Sequence, residues 1–199
     1  MQNRSAVTIN NILDAARRLF IEKQYADVTL KEITEAAGVT KGALYHHFST
    51  KEELYSQMIQ RCLAEVKEAI QGALRGSQRE NCRGQLQEVL ASFLRLSPDT
   101  RAVMRSIRRN LNIFEDPIRK LLIQAYQEAL PEQIEALLRA GMASGEIISM
   151  DARLLSWQHI AVVEVTLYDY DRGLLGSPEE MAASIVSLFF DGIGSPKKP

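Results

Sequence analysis

The chain has 199 residues, with 24 Lys and Arg against 25 Asp and Glu, and a net charge near −1. That length suits one small head and one larger apolar core, and the charge balance excludes a polybasic surface for membranes or RNA. No apolar run reaches the length of a membrane span and the N-terminus has no leader-like apolar stretch, which predicts a cytoplasmic protein with no membrane partner.

Ile9, Ile12, Leu13, Ala16, Leu19 and Phe20 recur at helical spacing and predict a first helix of about four turns. Thr29 with Glu32 three residues on is a capping box, so a second helix starts there, with Ile33, Ala36 and Ala37 facing inward. Gly38 can take the left-handed conformation that ends a helix, and Val39 is the apolar plug of the turn. Thr40 caps a short third helix from Lys41 to His47, which stops near Phe48. Thr50 and Glu53 repeat the capping pattern and open a helix at Lys51. Leu19, Phe20, Ile33, Leu44 and Phe48 are the expected core of this head. Two short helices joined at a glycine turn make a helix-turn-helix pattern, whose second helix enters the DNA major groove.

Beyond Lys51, apolar residues from Leu54 to Leu74 keep one stripe on a long amphipathic helix, and GSQREN at 76–81 is the first clear loop. Leu86, Val89, Leu90, Phe93 and Leu94 mark a helix that ends at Ser97-Pro98; Val103, Ile107, Leu111 and Phe114 mark the next. One period runs from Ile118 to Met142 across Pro131, which fits a kinked helix better than two helices, although both arrangements stay open. Residues 141–147 form a turn, and no strand pattern occurs. The expected fold is all-α with about nine helices: a three-helix head over residues 1–50 and a helical body over residues 51–199.

Residues 152–170 are apolar nearly all round, and 179–193 add Met181, Ile185, Val186, Leu188, Phe189, Phe190 and Ile193. A soluble helix of that kind must be covered on every side, by its own domain or by a partner. Cys62 and Cys82 are too few and too separated for a disulfide framework, and Cys62 falls on an apolar stripe as a small buried residue.

The run IL with AARRLF across 12–20, TLKEITEAAGVTKGALYHHF at 29–48 and KEEL at 51–54 resembles the N-terminal domain of the tetracycline-repressor (TetR) family. The likeness covers about the first quarter of the chain as dense, ordered matches. It implies base contacts at Lys41, Gly42, Ala43 and His46, and phosphate contacts at Thr29, Thr40, Tyr45, His47 and Lys51. Those roles suit the chemistry: Gly42 and Ala43 let the helix approach closely, Lys41 can donate to guanine, and hydroxyls or imidazoles hold phosphates. Lys51 opposes the local helix dipole, which also points to an anion nearby. His46 and His47 are not expected to bind metal, because helix neighbours diverge by about 100° and no further ligand stands at helical spacing. Residues 1–54 carry seven basic and seven acidic side chains, so any attraction to DNA must be local.

The resemblance further implies a homodimer through helices 152–170 and 179–193, and a body that binds a small-molecule effector. Phe93, Met104, Arg105, Tyr126, Trp157 and His159 are the candidate pocket residues; each is equally the kind of residue that fills a plain core. Arg101, Arg105, Arg108 and Arg109 share a stripe that is either a solvated face or a hold on an anionic effector. The function expected is a dimeric repressor released from a palindromic operator by its effector, with no cofactor and no enzymatic activity. The alternative is an effector-independent DNA-binding or structural protein on the same fold, which a collapsed pocket would favour.

Overall fold

The computed structural model describes residues 2–79, 81–166 and 176–192. These form ten α-helices with two short 3-10 turns, Tyr25–Asp27 and Leu111–Ile113, and no strand. The helices are α1 (Gln2–Glu22), α2 (Leu30–Ala37), α3 (Lys41–His47), α4 (Lys51–Gly76) and α5 (Cys82–Leu94). They continue as α6 (Pro98–Asn110), α7 (Ile118–Ala129), α8 (Pro131–Ser144), α9 (Ala152–Val165) and α10 (Pro178–Asp191).

Pro131 splits a helix instead of kinking one. It stands at the first position of α8, and Leu130 before it leaves helical geometry, with φ −136° and ψ −60°. Proline has no N–H to give the preceding turn, and its ring would strike the carbonyl four residues back. Both halves nevertheless keep the same apolar period, with Leu122, Tyr126, Ala129, Ile134 and Leu138 all buried, which is why the period alone suggested continuity. Ser97 likewise does more than end α5. Its hydroxyl accepts from the Thr100 N–H and caps α6, with Pro98 in the first turn.

The described residues cluster into two compact units. One runs to Ala64 and includes Ser97–Ala125; the other takes Glu65–Leu96 and the residues from Tyr126 onward. In the first unit Ile12, Ala15, Ala16, Phe20, Ile33, Leu44, Phe48 and Leu54 are buried, whereas Leu19 is only half-buried on the flank of α1. Four rings lock this core: Phe20, Tyr25, Tyr55 and Phe114 meet edge-to-face or offset, with centroids 4.9–5.7 Å apart. Such pairs add about 0.5–1.5 kcal/mol each beyond the area they bury. The Tyr55 hydroxyl accepts from Asn110 Nδ2 at 2.9 Å, so the polar edge of that cluster is satisfied on α6.

In the second unit α5 packs antiparallel to α10. Arg83, at the start of α5, grips Asp191 near the end of α10, with contacts at 2.9 and 2.6 Å. Arg95, at the end of α5, holds Glu179 near the start of α10 at 2.7 Å. On the other side α5 meets α8 at Gly141, where an added Cβ would stand 2.7 Å from Cys82 Sγ. Only glycine permits so close an approach. The Cys82 N–H that opens α5 donates to Glu146 Oε2 at 2.7 Å, so a carboxylate closes that helix start.

Candidate nucleic-acid interface and cavities

The turn between α2 and α3 is built by local chemistry. Thr29 Oγ1 accepts from the Glu32 N–H at 3.2 Å while Glu32 Oε2 accepts from the Thr29 N–H at 2.8 Å, completing the capping box. Glu32 also pairs with Lys23 at 2.6 Å, and these donors hold its carboxyl down to about 2. Gly38 has φ +66°; its N–H donates to Glu35 O and that of Val39 donates to Thr34 O, a Schellman end that points the chain into the next helix. Thr40 Oγ1 accepts from the Ala43 N–H at 3.1 Å and starts α3.

Alpha-helix 3 turns Leu44 and Phe48 inward, 0% and 1% exposed, and Thr40, Lys41, Gly42, Tyr45 and His46 outward. Ala43 and His47 are half-buried at the edge of the same face, and Thr29 is exposed at the start of α2. Lys41 Nζ lies 5.6 Å from the Tyr45 ring centre and the His46 and His47 rings meet edge-to-face at 4.9 Å, so the outer face is a small cationic and aromatic surface. Gly42 is not demanded by packing. A Cβ there would meet only Thr40 Oγ1 at 4.0 Å, ordinary contact.

Lys51, in the first turn of α4, is engaged within the head. It is half-buried, and its Nζ donates to the carbonyls of Tyr25 at 2.9 Å and Val28 at 3.0 Å. The same ammonium lies 4.4 Å from the Tyr25 ring centre, while the Tyr25 hydroxyl donates to Glu52 Oε1 at 3.0 Å. Burial and the Glu52 carboxylate push the Tyr25 phenol well above its usual value. The positive charge against the helix dipole is thus answered by carbonyls and a ring face within the head. The second capping box is modified too: the Glu53 N–H donates to Thr50 Oγ1 at 3.0 Å, but the Glu53 carboxylate turns to the Ser49 N–H at 2.8 Å.

The candidate pocket residues are dispersed. Met104 and Arg105 lie in the first unit, Met104 in its core. In the second, Phe93 and His159 face a cavity of only about 10 Å³ with Val89, Leu90, Leu130 and Ile160, so the core between α5, α8 and α9 is closed. Trp157 lines a small cleft with Gln127, Glu132, Glu135 and Arg153, its ring 6.2 Å from that of Tyr126. A groove of about 530 Å³ opens between α9, α10 and the 146–150 turn. Ile147, Ile148, Leu155, Val162, Leu188 and Phe189 are among its walls, and His159 again contributes. No sequence period marks this groove, because its walls come from a turn and from residues of two separate helices, such as Val162 on α9 and Ile185 on α10.

His159 is 1% exposed, its Nδ1 has no hydrogen-bond partner, and its ring meets Phe189 edge-to-face at 5.1 Å. Burial holds the imidazole down to about 4, so it is neutral at neutral pH. Around the groove Ile148, Met150, Val162 and Leu188 are exposed, as are Leu154 and Val165 on α9. Residues 167–170 and 193 of the expected pairing segments lie outside the described residues. Among the described residues no group of three His, Cys, Asp or Glu is placed to hold a metal, and no helix is long and apolar enough to cross a membrane.

Residues 12–58 match the family profile described as bacterial regulatory proteins, tetR family. Over 180 residues the chain is 23% identical to the uncharacterized HTH-type transcriptional regulator YhgD of Bacillus subtilis, covering 89% of this chain and 92% of that protein. It is 26% identical to the HTH-type transcriptional repressor KstR2 of Rhodococcus jostii, covering 93% and 90% of the two chains. Its fold matches the crystal structure of the transcriptional regulator FadR from Bacillus subtilis in complex with stearoyl-CoA. That match has a TM-score of 0.78 at 19% identity, over 92% of this chain and 98% of that one.

Proposed function

We propose that this chain, whose N-terminal helix-turn-helix matches the tetR family of bacterial regulatory proteins, is a transcriptional regulator that works as a homodimeric, effector-responsive repressor. The observation that carries this reading is Gly42: an exposed helical glycine that packing does not require, at the leading end of the outward face of α3. A glycine in a helix costs about 0.5–1 kcal/mol against alanine, and close approach to base edges is what that cost secures. Lys41, Gly42, Ala43 and His46 then read bases, while Thr29, Thr40, Tyr45 and His47 hold phosphates. Lys51 serves as the pin beneath that surface, not as a phosphate ligand.

Pairing of two heads is supported by the exposed apolar side chains of α9 and α10, Leu154, Val162, Val165 and Leu188. Water-exposed apolar faces of this kind mark contact surfaces. A two-fold dimer would present its recognition helices to half-sites about 34–36 Å apart. An effector acting on the body could reach the head along α4, whose 26 residues belong to both units. The neighbour crystallised with stearoyl-CoA supports a small-molecule effector. The closed core cavity of about 10 Å³ supports the second reading, a DNA-binding protein that needs no effector in that core.

Fluorescence anisotropy with labelled duplexes from the DNA flanking the gene tests the main reading. Two chains should bind one inverted repeat, and Leu188→Asp should give monomers that lose it. A chain that stays monomeric and binds no inverted repeat would end the proposal.

A further inference from the structure

We propose that Arg17 is a positioning residue for operator recognition: it ties α1, against which α2 and α3 pack, to the first turn of α6. The proposal rests on the DNA-reading role of α3, and its closing experiment includes a measurement that needs no DNA.

Alpha-helix 6 is remote from the helix-turn-helix in sequence, yet both belong to the same compact unit. It is fastened to the head at both ends. At its far end Asn110 Nδ2 donates to the Tyr55 hydroxyl of α4 at 2.9 Å. At its start Arg17 Nη2 donates to Thr100 Oγ1 at 2.5 Å and to Ser97 Oγ at 3.4 Å. The same two hydroxyls build the cap of α6: Ser97 Oγ accepts from the Thr100 N–H at 3.1 Å and lies 2.9 Å from Thr100 Oγ1. Thr100 is 2% exposed, and Cys62 Sγ on α4 meets its carbonyl at 3.8 Å. The guanidinium therefore grips a part of α6 that packing already holds in place.

That grip works against the local field. The start of a helix carries partial positive charge, so a guanidinium there meets an unfavourable dipole, and the directed bonds to two hydroxyls hold it. Charge-assisted hydrogen bonds are strong and directional, so this contact sets an angle and not only an area of contact. The opposite side of α1 buries Ile12, Ala16 and Phe20 in the head core. A turn of α1 about its axis would reach α3, whose Lys41, Gly42 and His46 face outward. Arg17 thus acts on base reading through α1 and α3, its guanidinium committed to α6 and not to a phosphate.

Hydrogen exchange on the full-length protein reads this coupling directly. In Arg17→Met and in Thr100→Val, peptides across 29–48 should exchange about tenfold faster, the scale of one lost charge-assisted hydrogen bond. Peptides across 178–191 should keep the parent rate. Arg17→Lys, which can still donate to Thr100, should recover most of the protection. With labelled duplexes, at a temperature where every variant is folded, affinity for the inverted repeat should fall about tenfold in Arg17→Met. Binding to non-specific duplex should hold, and the slope of log affinity against log salt should stay as in the parent. Parent-like exchange across 29–48 in Thr100→Val, or equal losses on specific and non-specific duplex, would overturn the proposal. So would a slope reduced by about one in Arg17→Met, which would make Arg17 a phosphate ligand. A parent that binds no inverted repeat would end the repressor reading, while the exchange rates would still decide whether Arg17 orders the helix-turn-helix.

Discussion

Lys51 Nζ donates to the carbonyl oxygen of Val28 at 3.0 Å, tying the first turn of α4 to the segment that enters the helix-turn-helix. The next acceptor is the Tyr25 carbonyl at 2.9 Å, and the Tyr25 ring closes over the ammonium. One side chain thus fixes the angle at which α2 leaves the short turn at Tyr25–Asp27. A charge-assisted hydrogen bond is stronger than a neutral one, and its removal here strands two carbonyls.

Replacing Lys51 by Met keeps the aliphatic stem and deletes the charge. Urea denaturation should show a loss of about 1–3 kcal/mol from the head, the cost of unpaired acceptors. Operator affinity should fall with that loss of order, yet the slope of log affinity against log salt should stay as in the parent protein. A slope reduced by about one would instead return Lys51 to the phosphate contacts.

Gly42→Ala separates folding from recognition. The added Cβ has room, with Thr40 Oγ1 at 4.0 Å, so thermal melting should show stability raised by about 0.5–1 kcal/mol. Operator affinity should fall about tenfold, since one methyl group forced into a tight contact costs about 1–3 kcal/mol. A variant that is more stable and binds its operator as well as the parent would remove close backbone approach from the recognition surface.

The head could be read from its sequence because its structure is set by contacts three to five residues long. Thr29 with Glu32, Gly38 with its Schellman bonds, and Thr40 with Ala43 each announce themselves within one turn. Lys51 could not be read that way, because its carbonyl partners lie 26 and 23 residues earlier and carry no side-chain signature. The body shows the same limit at larger scale. Phe93 and Met104 are both buried, and an aromatic or thioether on a helix has the same spacing whether it lines a pocket or fills a core. Of the six candidates, His159 alone lines the large groove, and what distinguishes it is an unsatisfied nitrogen that only packing creates. Pro131 was ambiguous for a related reason: tertiary burial preserved a period across a backbone break.

His159 also makes a prediction about acid. Its imidazole titrates near 4 in the folded protein against an ordinary value of 6.5, because burial disfavours the charged ring. Above 6.5 both folded and unfolded chains hold it neutral, so no stability is lost there. As pH falls below 6.5 the unfolded chain takes up a proton that the folded chain refuses, and stability declines until the folded ring also protonates near 4. The full decline is about 3 kcal/mol, and its upper part precedes the protonation of ordinary carboxylates. Glu32, held down to about 2, loses its capping contribution only at lower pH still. Urea denaturation of the parent between pH 7 and 5 should therefore show a falling midpoint, and His159→Phe a nearly level one. Equal slopes in the two proteins would mean that the ring is solvated or paired in solution.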